Sequence, residues 1–171
     1  VRNVLIMVDN EGDLGASDAT KRLKAVENHY KWIEAAKFLG CHSIRVNMTG
    51  DDTPEELMKA GVDGYGKLVE FGEKAGMGVI IENHINVSTN PDWLVSLLKQ
   101  IKNPYAGVLP DFGNFTERET PKTMTMEGFR DAKVLNEFDK YEGVKKLMPY
   151  AKGVSAKTHL FDANGNCTDV D

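Results

Sequence analysis

From Ser43 to Met48 the apolar residues Ile44, Val46 and Met48 alternate with Ser43, Arg45 and Asn47. Successive side chains of a strand project to opposite faces, so this period describes a strand with one packed face and one polar face. Val154 and Ala156 alternate in the same way with Ser155, Lys157 and His159. Strands are predicted over residues 4–8, 43–48, 78–84, 107–111 and 153–159, and helices over 17–39, 53–75, 91–102 and 141–151. Strand–helix alternation of this kind dictates a parallel sheet. A doubly wound sheet carries helices on both faces, and both parities of its central strands are apolar. Here one parity is polar and shared among strands, as in a barrel whose upper lumen forms a site. A closed barrel uses eight such units and about 250 residues, whereas this chain supplies five in 171 residues. The expected fold is α/β, a (β/α)8 TIM barrel truncated to about five βα units, forming one partial domain over residues 1–171.

Local signals set the expected helix ends. Thr53-Pro54-Glu55-Glu56 offers an N-cap, a proline at the first helical position and a capping-box glutamate. Asn90-Pro91 starts the next helix and Gly40 stands where a C-terminal glycine belongs. In the first helix Leu23, Val26, Tyr30, Ile33, Ala36 and Lys37 mark one stripe, and Gly61, Gly64 and Gly66 weaken the middle of the second. Residues 116–139 read as a polar loop with a helical piece. Val1 opens almost directly on a strand and Asp171 follows a polar turn, so both ends are expected to be cut.

Chemistry concentrates at the strand ends. The run Gly78-Val79-Ile80-Ile81 stops abruptly at Glu82, Asn83 and His84, with Glu82 and His84 on one side of the strand. Asp111 ends another strand and heads Asp111-Phe112-Gly113-Asn114, and His159 ends a third. Two carboxylates and an imidazole on successive strands suit a divalent cation such as Mn2+, Mg2+, Co2+ or Zn2+. Arg45 and Lys157 are lumen-facing cations, able to bind a phosphate, to stabilise an oxyanion or to neutralise the carboxylates. His84, Asn47 and Asn114 are candidate binders of substrate hydroxyls or carbonyls. His29 and His42 read as structural, and Trp32, Trp93 and Tyr141 as core. Cys41 and Cys167 lack metal-motif spacing and read as reduced thiols or one bridge.

Charge narrows the partners. With 26 acidic and 21 basic residues and no basic run, the chain is a poor match for a phosphate backbone, so nucleic acid is not expected. No apolar stretch approaches the roughly 20 residues of a membrane helix, so no membrane partner is expected. Open barrel edges would expose pairing groups, which makes a homo-oligomer an option.

Ile80-Ile81-Glu82-Asn83-His84, Asn90-Pro91-Asp92-Trp93-Leu94, Leu109-Pro110-Asp111-Phe112-Gly113-Asn114, and Tyr141-Glu142-Gly143-Val144 through Ala156-Lys157-Thr158-His159 together resemble the sugar phosphate isomerase/epimerase family, the xylose isomerase-like TIM barrels. The likeness covers nearly the whole chain and implies that it spans about strands 3 to 7. In that family a Glu, an Asp, a His and a last Glu at the ends of the fifth to eighth strands hold a metal. Matched by motif, Glu82, Asp111 and His159 would be the first three, and the last would lie beyond Asp171. The resemblance implies a divalent-metal-dependent isomerase or epimerase. Its substrate would be a sugar or sugar phosphate, with a proton moved beside the carbonyl through an enediolate. Glu82 would be ligand and base, with Lys157 as its catalytic companion. Two other expectations stand beside this one: a related metal-dependent lyase or dehydratase, and a barrel that binds a sugar or metabolite without turnover. A related endonuclease fits less well, because the chain has only four histidines and an acidic balance.

Overall fold

Ile44 and Val46 of β2 (Ser43–Val46), Val79 and Ile81 of β3 (Gly78–Glu82) and Val108 of β4 (Ala106–Leu109) stand side by side in register, all fully buried. This row is the apolar parity of the sequence, and it forms the core with the helices laid over it. The computed structural model describes residues 2–50, 53–119, 121–123, 125–158 and 160–168. Helices α1 (Ala19–Phe38), α2 (Pro54–Ala75) and α3 (Pro91–Ile101) cover the row with Val26, Ile33, Tyr65, Leu68, Leu94 and Leu97. The buried Tyr65 hydroxyl donates to the Val79 carbonyl at 2.8 Å and accepts the Gly107 N–H at 3.1 Å, tying α2 to β3 and β4.

With β1 (Leu5–Met7) at one edge, the strands run in the order β1-β2-β3-β4, every neighbouring pair parallel. A doubly wound sheet reverses its order at a switch point, whereas a barrel advances strand by strand in sequence. A Cβ on Gly153 would stand 3.2 Å from Leu109 Cδ1 and 4.0 Å from Leu5 Cδ2, so the first strand and the segment around Gly153 meet over one hollow.

The caps form as the sequence predicts. The Thr53 and Glu56 side chains reciprocate in a capping box, Asn90 caps α3 ahead of Pro91, and Gly40 and Gly76 take the left-handed conformation after α1 and α2. Three expectations are corrected. Leu23 is half exposed, and the buried stripe of α1 runs through Ala25, Val26, His29, Ile33 and Ala36. Residues 116–139 contain an antiparallel pair, β5 (Thr116–Arg118) with β6 (Val134–Glu137), besides the short helix α4 (Met126–Asp131). Neither strand is buried, so no apolar alternation announced them. The strand predicted at 153–159 is reduced to single parallel bridges, Val108 to Ala151 and Asp111 to Ser155, after α5 (Lys140–Leu147). Its neighbour here is Pro110, which lacks the N–H a regular ladder requires.

Of the residues read as structural, His29 is buried with Nδ1 at 2.7 Å from the Ala25 carbonyl, and His42 Nδ1 meets Ser43 Oγ at 2.8 Å. Trp93 is buried and Trp32 partly so, whereas Tyr141 is half exposed. Cys41 is buried and Cys167 exposed, so the two do not bridge. No helix among the described residues is long and apolar enough to cross a membrane.

Gly64 in α2 is required by close approach, since a Cβ there would run into the Leu14 carbonyl oxygen. Gly64→Ala is expected to lower stability by about 1–3 kcal/mol through overpacking. Gly66→Ala, whose Cβ would only touch Ile101 Cδ1 at 3.5 Å, is expected to raise stability by up to about 1 kcal/mol through helix propensity. Chemical denaturation of the two variants checks this, and effects of the same sign would contradict the packing.

Candidate functional site

The polar parity of the strands builds the other face. Arg45 lies beside Ile80 in register and reaches forward to Glu82, placing Nε 2.8 Å from Glu82 Oε2. These side chains are only 4% and 2% exposed, and neither of the two facing atoms makes a hydrogen bond of ordinary geometry. The pair is held by charge. Arg45 Nη1 extends the other way, to Asp9 Oδ1 at 2.7 Å and the Val8 carbonyl at 3.3 Å.

Asp111 is fully buried at the end of the next strand. Its Oδ1 accepts the Gly113 N–H at 2.9 Å, and its Oδ2 accepts from Ser155 Oγ and Lys157 Nζ, each at 2.8 Å. Lys157 Nζ lies 3.9 Å from Glu82 Oε1, to which Asn114 Nδ2 donates at 3.4 Å. Asn83 points away from the hollow and secures this loop from behind. Its Nδ2 donates to the carbonyls of Asp111 (3.0 Å) and Asn114 (2.9 Å), and its Oδ1 accepts the Asp111 N–H at 2.6 Å.

These surroundings drive the two carboxyls apart. Burial pushes Glu82 up to about 7, Arg45 and Lys157 opposing and the neighbouring Asp111 adding to the rise. Burial acts on Asp111 in the same direction, but Lys157, the Gly113 N–H and the Ser155 hydroxyl outweigh it and hold that carboxyl below its ordinary range. One carboxyl is thus poised near neutrality beside a committed anion, a division found where a site needs both an acid and a base.

A second station stands beside the first. Asn47 Nδ2 donates to Asp9 Oδ1 at 2.7 Å, while Asn47 Oδ1 faces Arg45 Nη1 at 3.4 Å and His84 Nδ1 at 3.0 Å. Arginine only donates and carboxylate only accepts, so Asn47 has one satisfied orientation, and its oxygen must receive a proton from His84 Nδ1. That leaves His84 Nε2 as an acceptor. Burial, with the charges of Arg45 and Lys157, lowers the His84 pKa and keeps the ring neutral at pH 7.

The structure therefore gathers Glu82, Asp111, Lys157, Arg45 and Asn114 in one cluster and links His84 and Asn47 to it through Arg45 and Asp9. His159 lies outside the described residues. Among those residues no three carboxylate, imidazole or thiol groups come together to hold a cation. Sequence reading missed Asp9, Ser155 and the clamp made by Asn83. Asp9 closes the first strand in the position that Asp111 takes on the fourth, a signal that was present. The Ser155 contact depends on a bridge between distant segments and left no local trace. A cavity of about 640 Å3 opens among the loops at this end of the strands, lined by Thr49, Gly50, Asn86, Val87, Glu117 and Arg118 among others.

Glu82 binds a proton more tightly folded than unfolded, so it favours the folded state at acid pH and loses that contribution as pH rises through about 7. In chelator-treated samples, the unfolding free energy of wild type relative to Glu82→Gln is expected to fall between about pH 4.5 and 7, by up to about 3 kcal/mol. The subtraction removes the opposite contributions of His29 and His84, whose lowered pKa values add stability as pH rises. A difference profile that rises across the window would contradict the assignment.

The profile of the xylose isomerase-like TIM barrels matches residues 3–158. No curated protein matches the chain. Among solved structures, a D-tagatose 3-epimerase-like protein superposes with a TM-score of 0.70 at 18% identity, over 91% of this chain and 56% of that one. The 3-keto-D-glucoside 4-epimerase of E. coli gives 0.66 at 13% identity, over 90% and 58%. A xylose isomerase-like TIM barrel protein from Mycobacterium smegmatis in complex with magnesium gives 0.63 at 16% identity, over 94% and 53%. The chain spans little more than half the length of these structures, and at such identities the likeness establishes the fold. With the sequential parallel sheet and the profile match over most of its length, the chain belongs to the xylose isomerase-like TIM-barrel family.

Proposed function

We propose that this chain carries the catalytic strand ends of a divalent-metal-dependent isomerase or epimerase that moves a proton beside the carbonyl of a sugar or sugar phosphate. The observation that carries the reading is the pair of buried carboxyls, Glu82 and Asp111, with ionisations driven apart and two cations beside them. Epimerases among the structural neighbours support it. A buried, ladder-anchored carboxylate pair serves no packing need that apolar residues would not serve better.

The donors fit a hard divalent cation. Glu82 and Asp111 offer carboxylate oxygens, and the buried Glu82 Oε2 faces Arg45 Nε at 2.8 Å with no hydrogen bond of ordinary geometry among the described residues. Glu82, Asp111 and His159 would hold the ion, and the magnesium complex of a neighbour supports metal use. A bound cation supplies Lewis acidity toward the substrate carbonyl. Glu82 Oε1, which meets Asn114 Nδ2 at 3.4 Å and Lys157 Nζ at 3.9 Å, is the atom that takes the proton from the carbon beside the carbonyl. Having taken that proton, Glu82 can also return it, to the neighbouring carbon or the same one. Lys157 stands where negative charge develops on the substrate oxygens, and His84 Nε2 and Asn114 are placed to meet hydroxyls. Arg45 fixes Glu82 from behind.

The test follows proton exchange. Ketoses and their phosphates are incubated in D2O with Mn2+, and deuterium at the carbon next to the carbonyl is read by NMR. Exchange is expected with a subset of sugars and is expected to fall by about 10^2 to 10^4 in Glu82→Gln. Saturable sugar binding that needs no metal and produces no exchange would instead identify a binding barrel without turnover.

A further inference from the structure

Within the proposed metal-dependent reading, on which this inference rests, one residue already stands where positive charge is needed. Lys157 Nζ lies between the carboxylates, 2.8 Å from Asp111 Oδ2 and 3.9 Å from Glu82 Oε1. Asp111 is otherwise engaged by the Ser155 hydroxyl at 2.8 Å on Oδ2 and the Gly113 N–H at 2.9 Å on Oδ1. Three carboxylates, Asp9, Glu82 and Asp111, face one guanidinium and one ammonium, so the cluster carries a formal charge of only −1 with no metal present. A divalent ion would turn that to +1 beside two carboxyls that are almost fully buried, with two cations already on their oxygens, a crowding of like charge that low dielectric disfavours. One resident cation must withdraw. Arg45 cannot, since its side chain is 4% exposed and its Nη1 is held by Asp9 and Val8. Lys157 can, since its side chain is 34% exposed and its stem is flexible.

We infer that Lys157 is the built-in counter-cation of the metal-free site, displaced from Asp111 when a divalent ion binds, so that its ammonium becomes available to substrate only in the loaded site. The lysine and the metal then compete for one oxygen, Asp111 Oδ2. This assigns Lys157 an ordering role, metal before substrate, that a permanently fixed ion pair would not have.

The experiment uses the intact protein with Mn2+ as the probe. Bound Mn2+ is measured by loss of the free-ion EPR signal, and exposure of each lysine by brief acylation and peptide mass spectrometry, in chelator and in saturating Mn2+. Lys145, whose side chain is 76% exposed, serves as the internal reference. Mn2+ is expected to raise labelling of Lys157 several-fold relative to Lys145. Lys157→Met is expected to bind Mn2+ at least about tenfold more tightly, the ratio set by about 1.4 kcal/mol of removed competition, and to melt lower than wild type in chelator. Mn2+ that binds while Lys157 labelling stays constant or falls would overturn the displacement, as would equal or weaker binding by Lys157→Met, and both would leave the metal-dependent reading standing. Absence of Mn2+ binding to wild type and variant alike would overturn the two together. The labelling on unaltered protein decides the matter should Lys157→Met fail to fold.

Discussion

Two carboxylates held almost entirely out of water, Glu82 and Asp111, are the constraint to which the rest of this structure answers. An isolated buried carboxylate costs several kcal/mol, and the chain offsets that cost from three directions. Arg45 approaches Glu82 from the neighbouring strand, Lys157 approaches Asp111 from the segment after α5, and Asn83 with Gly113 supplies amide hydrogens to the loop between. Each contribution comes from a different part of the sequence, so the site exists only when β2, β3, β4 and the 153–158 segment are assembled together. Folding and site formation are one event here.

The sheet's two faces divide the labour. On one, Ile44, Val46, Val79, Ile81 and Val108 pack under helices and supply the apolar burial that drives folding. On the other, the same strands raise Arg45, Glu82 and Asp111 toward the hollow that Leu5, Leu109 and Gly153 line further down. Because the period of a strand is two, the register that buries the first row also aligns the second, and a one-residue slip would exchange them. The stability of the core thus positions the chemistry without any contact between them. Tyr65 reinforces this by bonding to both β3 and β4 from the helix side.

Neighbouring charges in such a cluster specify one another. Asp9 accepts from both Arg45 and Asn47, Asn47 then has only its oxygen to offer His84, and the imidazole is left with one acceptor nitrogen. A substitution at Asp9, half exposed at its strand end, therefore acts on His84 two strands away through hydrogen-bond polarity. The same logic connects Lys157 with any incoming cation, since both would draw on the one Asp111 oxygen.

Much of this was legible in the linear chain because it rests on local rules. The two-residue period of 43–48, the caps at Thr53 and Asn90, the glycine at 40 and the carboxylates at Glu82 and Asp111 all follow from short-range sterics and hydrogen bonding. The motifs carried the family resemblance, which the profile match and the barrel-type sheet support. What stayed hidden depends on segments far apart in sequence. The stripe of α1 was misaligned at Leu23 because helix periodicity fixes spacing while the neighbouring helix and sheet decide which face turns inward. The β5–β6 pair escaped because polar strands on a surface carry no alternation. The predicted strand at 153–159 became two bridges because Pro110, far earlier in the chain, withholds the donor its ladder would need. By itself the sequence determined the elements, the parity of their faces and the chemical groups at their ends, all consequences of backbone geometry over a few residues. Only the tertiary structure decided which of those groups meet, which of them remain charged and which lysine lies across Asp111, because burial and long-range electrostatics have no counterpart along the chain.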